Sequence, residues 1–578
     1  MRWDYYVNHF SDLERQKKDS KMTYRTPSGE LFVGPNKISG TGEPPAGSEP
    51  LGILYPRAGA LGGCSSHNAL ITIYPHKSDW DGIASLTGDT SWGADKMRSY
   101  FKKLERSRYI PSGVKGHGFF GWLTVKVTDL TVVLEDLKLL SLVIAAAKAT
   151  GKGVIGLITT VTGLANVLLL DINADTPRRD SAEGLYQVPI TITDDYKRNG
   201  PREFILDTAN AENADGSRKY HLDILVNTLA TKVRFDTSEN PPKAIGIDFL
   251  SGASLYSADP RYSSSDGGIP GSVNATREVI LSAGSFNTPQ LLKLSGIGPA
   301  EELERHDIPV LVDSPGVGAN LQDRYETSLG AKASSNFSIS EDCQWLQGPD
   351  PCYERWANLP VQKGVYGSNG LAVGIVKKSS VAEGDPDLFL AGAPALFTGY
   401  YQGYSNVSLW DDRHWVWVVL KAHSGNNAGS VTLRSKDPRD MPVINFNSFD
   451  TGVTAGGAHE KDLQAMVEGM ELAREIIKNV IPLDGYFREV WPGELVRGDG
   501  LKDFIQNEAW GHHACCTAKI GADGDKKAVL DSRFRVRGVK NLRVVDASVF
   551  PKIPGFYIAV PIYMISEKAA EVILEDAD

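Results

Sequence analysis

The chain has 578 residues, 41% of them hydrophobic and 23% charged, with a formal net charge of −10. At roughly 150 residues per domain, that length predicts more than one domain with large buried cores. The acidic balance argues against a nucleic-acid partner, and five cysteines without a CxxC pair argue against a disulfide scaffold or a zinc ribbon.

Residues 1–50 are polar, rich in Gly and Pro, and read as an extended, loop-rich opening segment. The first ten residues, MRWDYYVNHF, hold no apolar run and are not a signal peptide. The protein is therefore expected in the cytoplasm, or secreted if a signal peptide belongs to a longer natural N-terminus. Sequons at Asn274, Asn336 and Asn406 permit glycosylation and lend weak support to secretion.

From about 130 to 170 the pattern is helical and strongly apolar. The uncharged stretch GVIGLITTVTGLANVLLL (153–170) reads as part of two packed helices, with a lipid-docking surface as the alternative. No transmembrane segment is expected. GKGVIG at 151–156, with Asp171 downstream, formally fits a dinucleotide fingerprint, but it follows a helical pattern where that fingerprint requires a strand.

Between 218 and 282 the pattern turns to strands: KYHLDILVNTLATKVRF, KAIGIDFL and REVILSAG. PQLLKLSGIGPAEELERH then reads as a helix, a Gly-rich break and a second helix start. Residues 385–450 form a second β-rich region with WVWVVLKAH and GSVTLRS, followed by the amphipathic helix DLQAMVEGMELAREIIKN. NLRVVDASVFP is a strand leading into a turn, and IYMISEKAAEVILED a final helix. Helices and strands at both ends around a β-rich middle predict an α/β domain interrupted by another. Cys343 and Cys352 either close a short loop in an oxidising compartment or remain two thiols. Cys515 and Cys516 are adjacent, a spacing that does not favour a structural disulfide.

Three segments carry chemistry. In YPRAGALGGCSSHNALITIYP (55–75), Gly62 and Gly63 let a backbone approach a large ligand closely, and hydroxyl side chains follow. GSFNTPQLLKLSGIG (284–298) takes a strand ending in small residues into a helix start, a good place for a phosphate or sugar. GHHACCTAKIG with NLRVVDASVFP covers 511–551. In this order and spacing they resemble the glucose-methanol-choline (GMC) family of FAD oxidoreductases, and GVGANLQDR (316–324) is similar to that family's linker between domains.

The resemblance implies a Rossmann-like FAD-binding domain, incomplete at its N-terminus, interrupted by a β-sheet-plus-helix substrate domain. The implied division is 1–327 for the FAD domain with an apolar helical insertion at about 130–175, 328–510 for the substrate domain, and 511–578 for the return to the FAD domain. The family's opening strand, GxGxxG turn and helix are not found. A longer natural N-terminus is expected to supply them; the alternative is a chain that has lost strong FAD binding and its activity.

By resemblance, His513 is the base that takes the alcohol proton, a role suited to a residue titrating near neutral pH. His512 is adjacent, with a side chain expected to diverge from it. The second catalytic position falls on Tyr557 or Phe556, with His512 or Tyr557 filling that role. His67 resembles the histidine that choline oxidases and related members bond to the flavin 8α-methyl; it is expected either to form that bond or to pack beside the ring. Gly62, Gly63, Ser65 and Asn68 are placed near the flavin, Asp546 and Ala547 near the ribityl and pyrophosphate, and Ser282, Ala283 and Gly284 on the adenosine side.

The implied reaction is oxidation of a small alcohol by hydride transfer to FAD, with oxygen or a quinone as final acceptor and no metal. An inactive, cofactor-poor paralogue acting as a binding protein is the competing class, and an NAD(P) enzyme using GKGVIG a third. Trp345, Trp410, Trp415 and Trp417 either hint at an aromatic alcohol or belong to a core.

Overall fold

In the computed structural model, which describes residues 2–36, 38, 40–151, 163, 168, 171–345, 347–409 and 411–577, the opening segment is a sheet. Arg2–Val7 lies antiparallel to Glu49–Ala58, which pairs with Met22–Arg25, itself paired with Leu31–Val33. This corrects the loop-rich expectation. The Gly and Pro clusters punctuate short strands, and their few apolar positions suffice: Tyr5, Val7, Met22, Tyr24, Ile53 and Tyr55 form one core with Phe286 and Phe446.

The mixed α/β part is built around a parallel pair, Val279–Leu281 beside Leu542–Val544, two strands far apart in sequence. Val279–Leu281 feeds the helix Gly284–Leu294 across a turn at Gly284, whose φ of 84° lies where glycine is favoured. The helices Ala94–Leu104 and Ala559–Ala577 pack on each other in the same core. Beside it stands an antiparallel meander of Thr228–Asp236, Lys243–Ser251 and Ile269–Asn274. The predicted strand from 219 begins only at Thr228. Its first half finds no neighbour to pair with, and Leu225 and Val226 stay 67% and 69% exposed.

A second part of the molecule is a 6-stranded antiparallel sheet, in the order Phe487–Trp491, Tyr325–Ala333, His414–Lys421, Leu388–Ala393, Val373–Lys377, Gly184–Tyr186, the last strand coming from before residue 327. The predicted amphipathic helix is Ala458–Lys478. Ala465, Met466, Gly469, Met470, Ala473, Ile476 and Ile477 are buried at three- and four-residue spacing. Gly469 permits close contact with the sheet, since a Cβ there would overlap Val419. Leu137–Ala149 packs into the same core, its N-terminus capped by the Asp136 carboxylate, which accepts from the N–H groups of Lys138 and Leu139. Trp415 and Trp417 are fully buried in that core, so they do not line a substrate cavity; Trp345 packs on Tyr366 instead.

Cys343 and Cys352 are bridged, and so, against expectation, are the neighbours Cys515 and Cys516. Among the described residues no helix is long and apolar enough to cross a membrane. Most of 153–170, residues 152–156 of GKGVIG, and Trp410 lie outside the described residues.

Candidate active site

The strand Tyr325–Ala333 is buried along almost its whole length, and it opens with two carboxylates on the way in. Asp323 organises the backbone. One of its oxygens accepts from the His513 N–H at 2.9 Å, and the other from the Tyr55 hydroxyl at 2.5 Å. That same Tyr55 oxygen accepts from the Ala514 N–H at 2.8 Å. Segments 55, 323 and 513–514 are thus fastened at one point.

Glu326 organises the side chains. Its main chain exchanges two hydrogen bonds with Trp510, each 2.9 Å. Its Oε1 lies 3.2 Å from Nδ1 of His512 and 3.2 Å from Nδ1 of His513, without the alignment of a hydrogen bond in either case. The two imidazoles therefore do not diverge. Their centroids are 3.9 Å apart, because one buried carboxyl gathers both. Tyr557 stands edge-on to His513 at 5.5 Å, while Phe556 turns away toward His76. Of the two alternatives for the second position, the structure brings only Tyr557 to the histidines. Glu326 and Asp323 were not singled out from the sequence; the signal for Glu326 was an acidic residue near the start of a strand that is buried along most of its length.

Burial sets the protonation states. It holds His512 down to about 3, reinforced by Arg57 and Arg324, and holds His513 well below its ordinary range, reinforced by His512 and Arg324. Both rings are neutral near pH 7. Burial raises the Glu326 carboxyl well above the carboxylate range, with Asp323 adding to it. Burial also keeps the Tyr557 hydroxyl protonated and able to donate.

The GGCSSHN loop meets this centre through Arg57. Its guanidinium lies 3.7 Å from Cys64 Sγ and 3.4 Å from the His512 carbonyl, and it stacks over Phe286. Burial pushes the Cys64 thiol up, but Arg57 and His67 outweigh it and bring it to about 6. Within the loop Ser65 donates to the Gly62 carbonyl, Asn68 accepts from Arg198 and from the Leu70 N–H, and His67 is exposed. On the other side, Ser282 and Ala283 are exposed at the end of their strand. Asp546 accepts from the Gly284 N–H and Thr288 with one oxygen and from Ser548 with the other, so it clamps two loops together. The Ala547 carbonyl accepts from the Cys516 N–H.

Family models described as GMC oxidoreductase match residues 170–326 and 425–566. The chain belongs to the GMC oxidoreductase family. Its relatives include an oxygen-dependent choline dehydrogenase of Pseudomonas syringae pv. tomato, 30% identical over 529 residues that span 89% of this chain and 79% of that protein. An alcohol dehydrogenase (acceptor) of Pseudomonas putida is 28% identical over 91% of this chain and 83% of its own. Among solved structures, an Aspergillus oryzae formate oxidase shares the fold at a TM-score of 0.70 and 22% identity, covering 92% of this chain and 85% of that one. A fungal aryl-alcohol oxidase does so at 0.61 and 18%, covering 96% and 93%.

Membership makes this GMC protein an oxidoreductase with FAD as its cofactor. The GGCSSHN loop and the turn at Gly284 leave backbone open to a ligand, although the neighbouring Gly62 is covered by Ser66 and Arg202. A Cβ added at Gly63 or Gly284 would meet nothing within 4 Å, so both backbones face open space, with the exposed His67, Ser282 and Ala283 close in sequence to them.

Proposed function

We propose that this GMC oxidoreductase oxidises a small alcohol carrying a cationic head group, with His513 as base and Tyr557 holding the substrate oxygen. FAD, when bound, supplies the hydride acceptor. The observation that carries the reading is the single buried carboxyl, Glu326, shared by two neutral histidines. A neutral imidazole has one N–H and one lone pair. For His513 to take a proton at its free nitrogen, its Nδ1 must carry hydrogen and face a carboxylate.

Without substrate, burial favours the uncharged form of Glu326. A cation entering beside it draws Glu326 into its carboxylate form. Oε1 then accepts from Nδ1 and leaves the other ring nitrogen free as base, so the substrate's own charge prepares the catalyst. An aromatic cluster suits such a head group: Tyr400 packs edge-on to His512 at 5.3 Å, and Phe397 touches both Tyr400 and Trp510. The choline dehydrogenase relatives are named for a quaternary-ammonium alcohol, which supports this assignment, and oxygen is then the acceptor.

The test compares choline with its uncharged isostere, 3,3-dimethylbutan-1-ol, in wild type and Glu326→Gln. Wild type should favour choline in kcat/KM by about two orders of magnitude, matching a charge-assisted contact of ~2–3 kcal/mol, and the variant should lose that preference. Equal use of both alcohols by wild type overturns the cationic reading.

His67 is the residue proposed to bond the flavin 8α-methyl, supported by its exposure beside the open Gly63 backbone. A flavin absorption band that stays with the acid-denatured protein, and is released from His67→Ala, is the expected result; release from wild type sinks the bond. We place the protein in an oxidising compartment, a reading supported by the Cys343–Cys352 bridge and by the exposure of Asn274, Asn336 and Asn406.

A further inference from the structure

A second set of metal-binding side chains lies outside the acid–base centre. His76 precedes the helix Lys77–Thr87, Asp79 sits in its first turn, and His423 follows the sheet strand His414–Lys421. The Nε2 of His423 lies 2.8 Å from one Asp79 oxygen, and the Nδ1 of His76 lies 3.8 Å from the other. One ligand atom from each residue falls within 4.8 Å of the others. Bonds of about 2.0–2.1 Å to a tetrahedral ion put neighbouring ligand atoms roughly 3.4 Å apart. The separations from the two histidines to the two Asp79 oxygens, 2.8 and 3.8 Å, lie on either side of that value.

Two further observations point to an ion. His76 is 2% exposed, and its Nδ1, placed in a capping box with Asp79 at the helix start, makes no well-aligned hydrogen bond. A buried lone pair left in this way costs free energy unless something fills it. Among the nearby carboxylates, Asp385 accepts from Ser78 and adds negative charge to the surroundings. Arg179 opposes this, but Asp180 pairs with it at 2.6 Å.

We propose that His76, Asp79 and His423 bind one zinc ion that ties the Lys77–Thr87 helix to the sheet that holds His414–Lys421. Two imidazoles and a carboxylate are a zinc-type donor set with a fourth position left for water. His423 need only carry its proton on Nδ1 to present Nε2. Asp79 also accepts from the Gly555 N–H at 2.9 Å, two residues before Tyr557, so the ion would brace the turn that carries the substrate-holding hydroxyl.

The experiment loads the chelator-treated full chain with Zn²⁺, and separately with Co²⁺, and measures bound metal per chain and the visible cobalt bands. His76→Gln, His423→Gln and Glu326→Gln are compared, each checked for wild-type tryptophan fluorescence. The expected result is one ion per chain in wild type and Glu326→Gln, with stoichiometric binding lost in both histidine variants. No stoichiometric ion in wild type overturns the proposal. So does binding that survives in both histidine variants but vanishes in Glu326→Gln, which would assign the ion to His512 and His513.

Discussion

At the residue scale, the catalytic reading rests on which groups can donate and which can accept. Tyr557, proposed to hold the substrate oxygen, has a buried hydroxyl that remains a donor. Tyr557→Phe removes one hydrogen bond of roughly 1 kcal/mol and should lower kcat/KM about fivefold to tenfold. His513→Asn removes the base and should cost about 10²–10⁴-fold. Steady-state rates on the preferred alcohol check both. A Tyr557→Phe enzyme with unchanged rates would dismiss the hydroxyl's role. His513 was singled out by the resemblance of its short motif, and the structure sets it beside His512 and Tyr557; its role as base belongs to the proposed function. Glu326 was not singled out, because a carboxylate gains meaning only when the fold brings two imidazoles onto it from a segment 186 residues onward.

At the element scale, the turn His512–Cys516 is held by burial and by Asp323, and its stability carries a pH signature. His512 titrates at about 3 when folded against 6.5 when free, so between those values the unfolded chain takes up a proton that the folded chain refuses. Its contribution is full above pH 6.5 and falls as pH drops toward 3, by up to about 1.4 kcal/mol per pH unit. Glu326, with its raised carboxyl, has the opposite slope: its contribution is full below 4.5 and declines above that. Denaturant midpoints at pH 6.5, 5.5 and 4.5 should fall less steeply for His512→Asn than for wild type. Parallel lines would mean that the ring is solvated.

Sequence periodicity picked out the longest amphipathic helix but passed over Lys77–Thr87, Ala94–Leu104 and Asp499–Glu508. Ala458–Lys478 has one apolar stripe and one partner sheet, so its pattern suffices. The opening sheet was missed because Gly and Pro interrupt its strands and their partners lie up to 56 residues away. The meander's first half was over-read for the converse reason: alternation predicts a strand only where an edge exists to pair with. The adjacent cysteines show the limit of spacing arguments, since their pairing depends on a backbone turn in which Cys516 adopts a φ of 82°.

For the whole molecule, ion pairs buried in the core tie the first strands to distant parts of the chain. Lys21, 1% exposed on its side chain, reaches Asp19 at 2.7 Å and Glu508 at 2.7 Å, joining the opening sheet to the helix Asp499–Glu508. Lys21→Met would leave two carboxylates facing each other without a cation and should destabilise the chain by about 3–5 kcal/mol. Adding Asp19→Asn and Glu508→Gln to it should recover most of that loss. Chemical denaturation of the single and triple variants decides; a single variant as stable as wild type would mean that water reaches the cluster. Fold class and family were legible at this scale, because the motifs keep their order across the chain. The side-chain contacts that bring those motifs together were not.

The Tyr55 hydroxyl joins Asp323 to Ala514 across sequence separations of 268 and 459 residues. During synthesis the opening sheet and the strand from Tyr325 emerge long before the His512–Ala514 turn. Until that turn has left the ribosome, Tyr55 and Asp323 can hold each other but have no base to position. The proposed acid–base centre is therefore completed late in translation, and a ribosome stalled before His513 would carry the opening sheet and the Tyr325 strand without it.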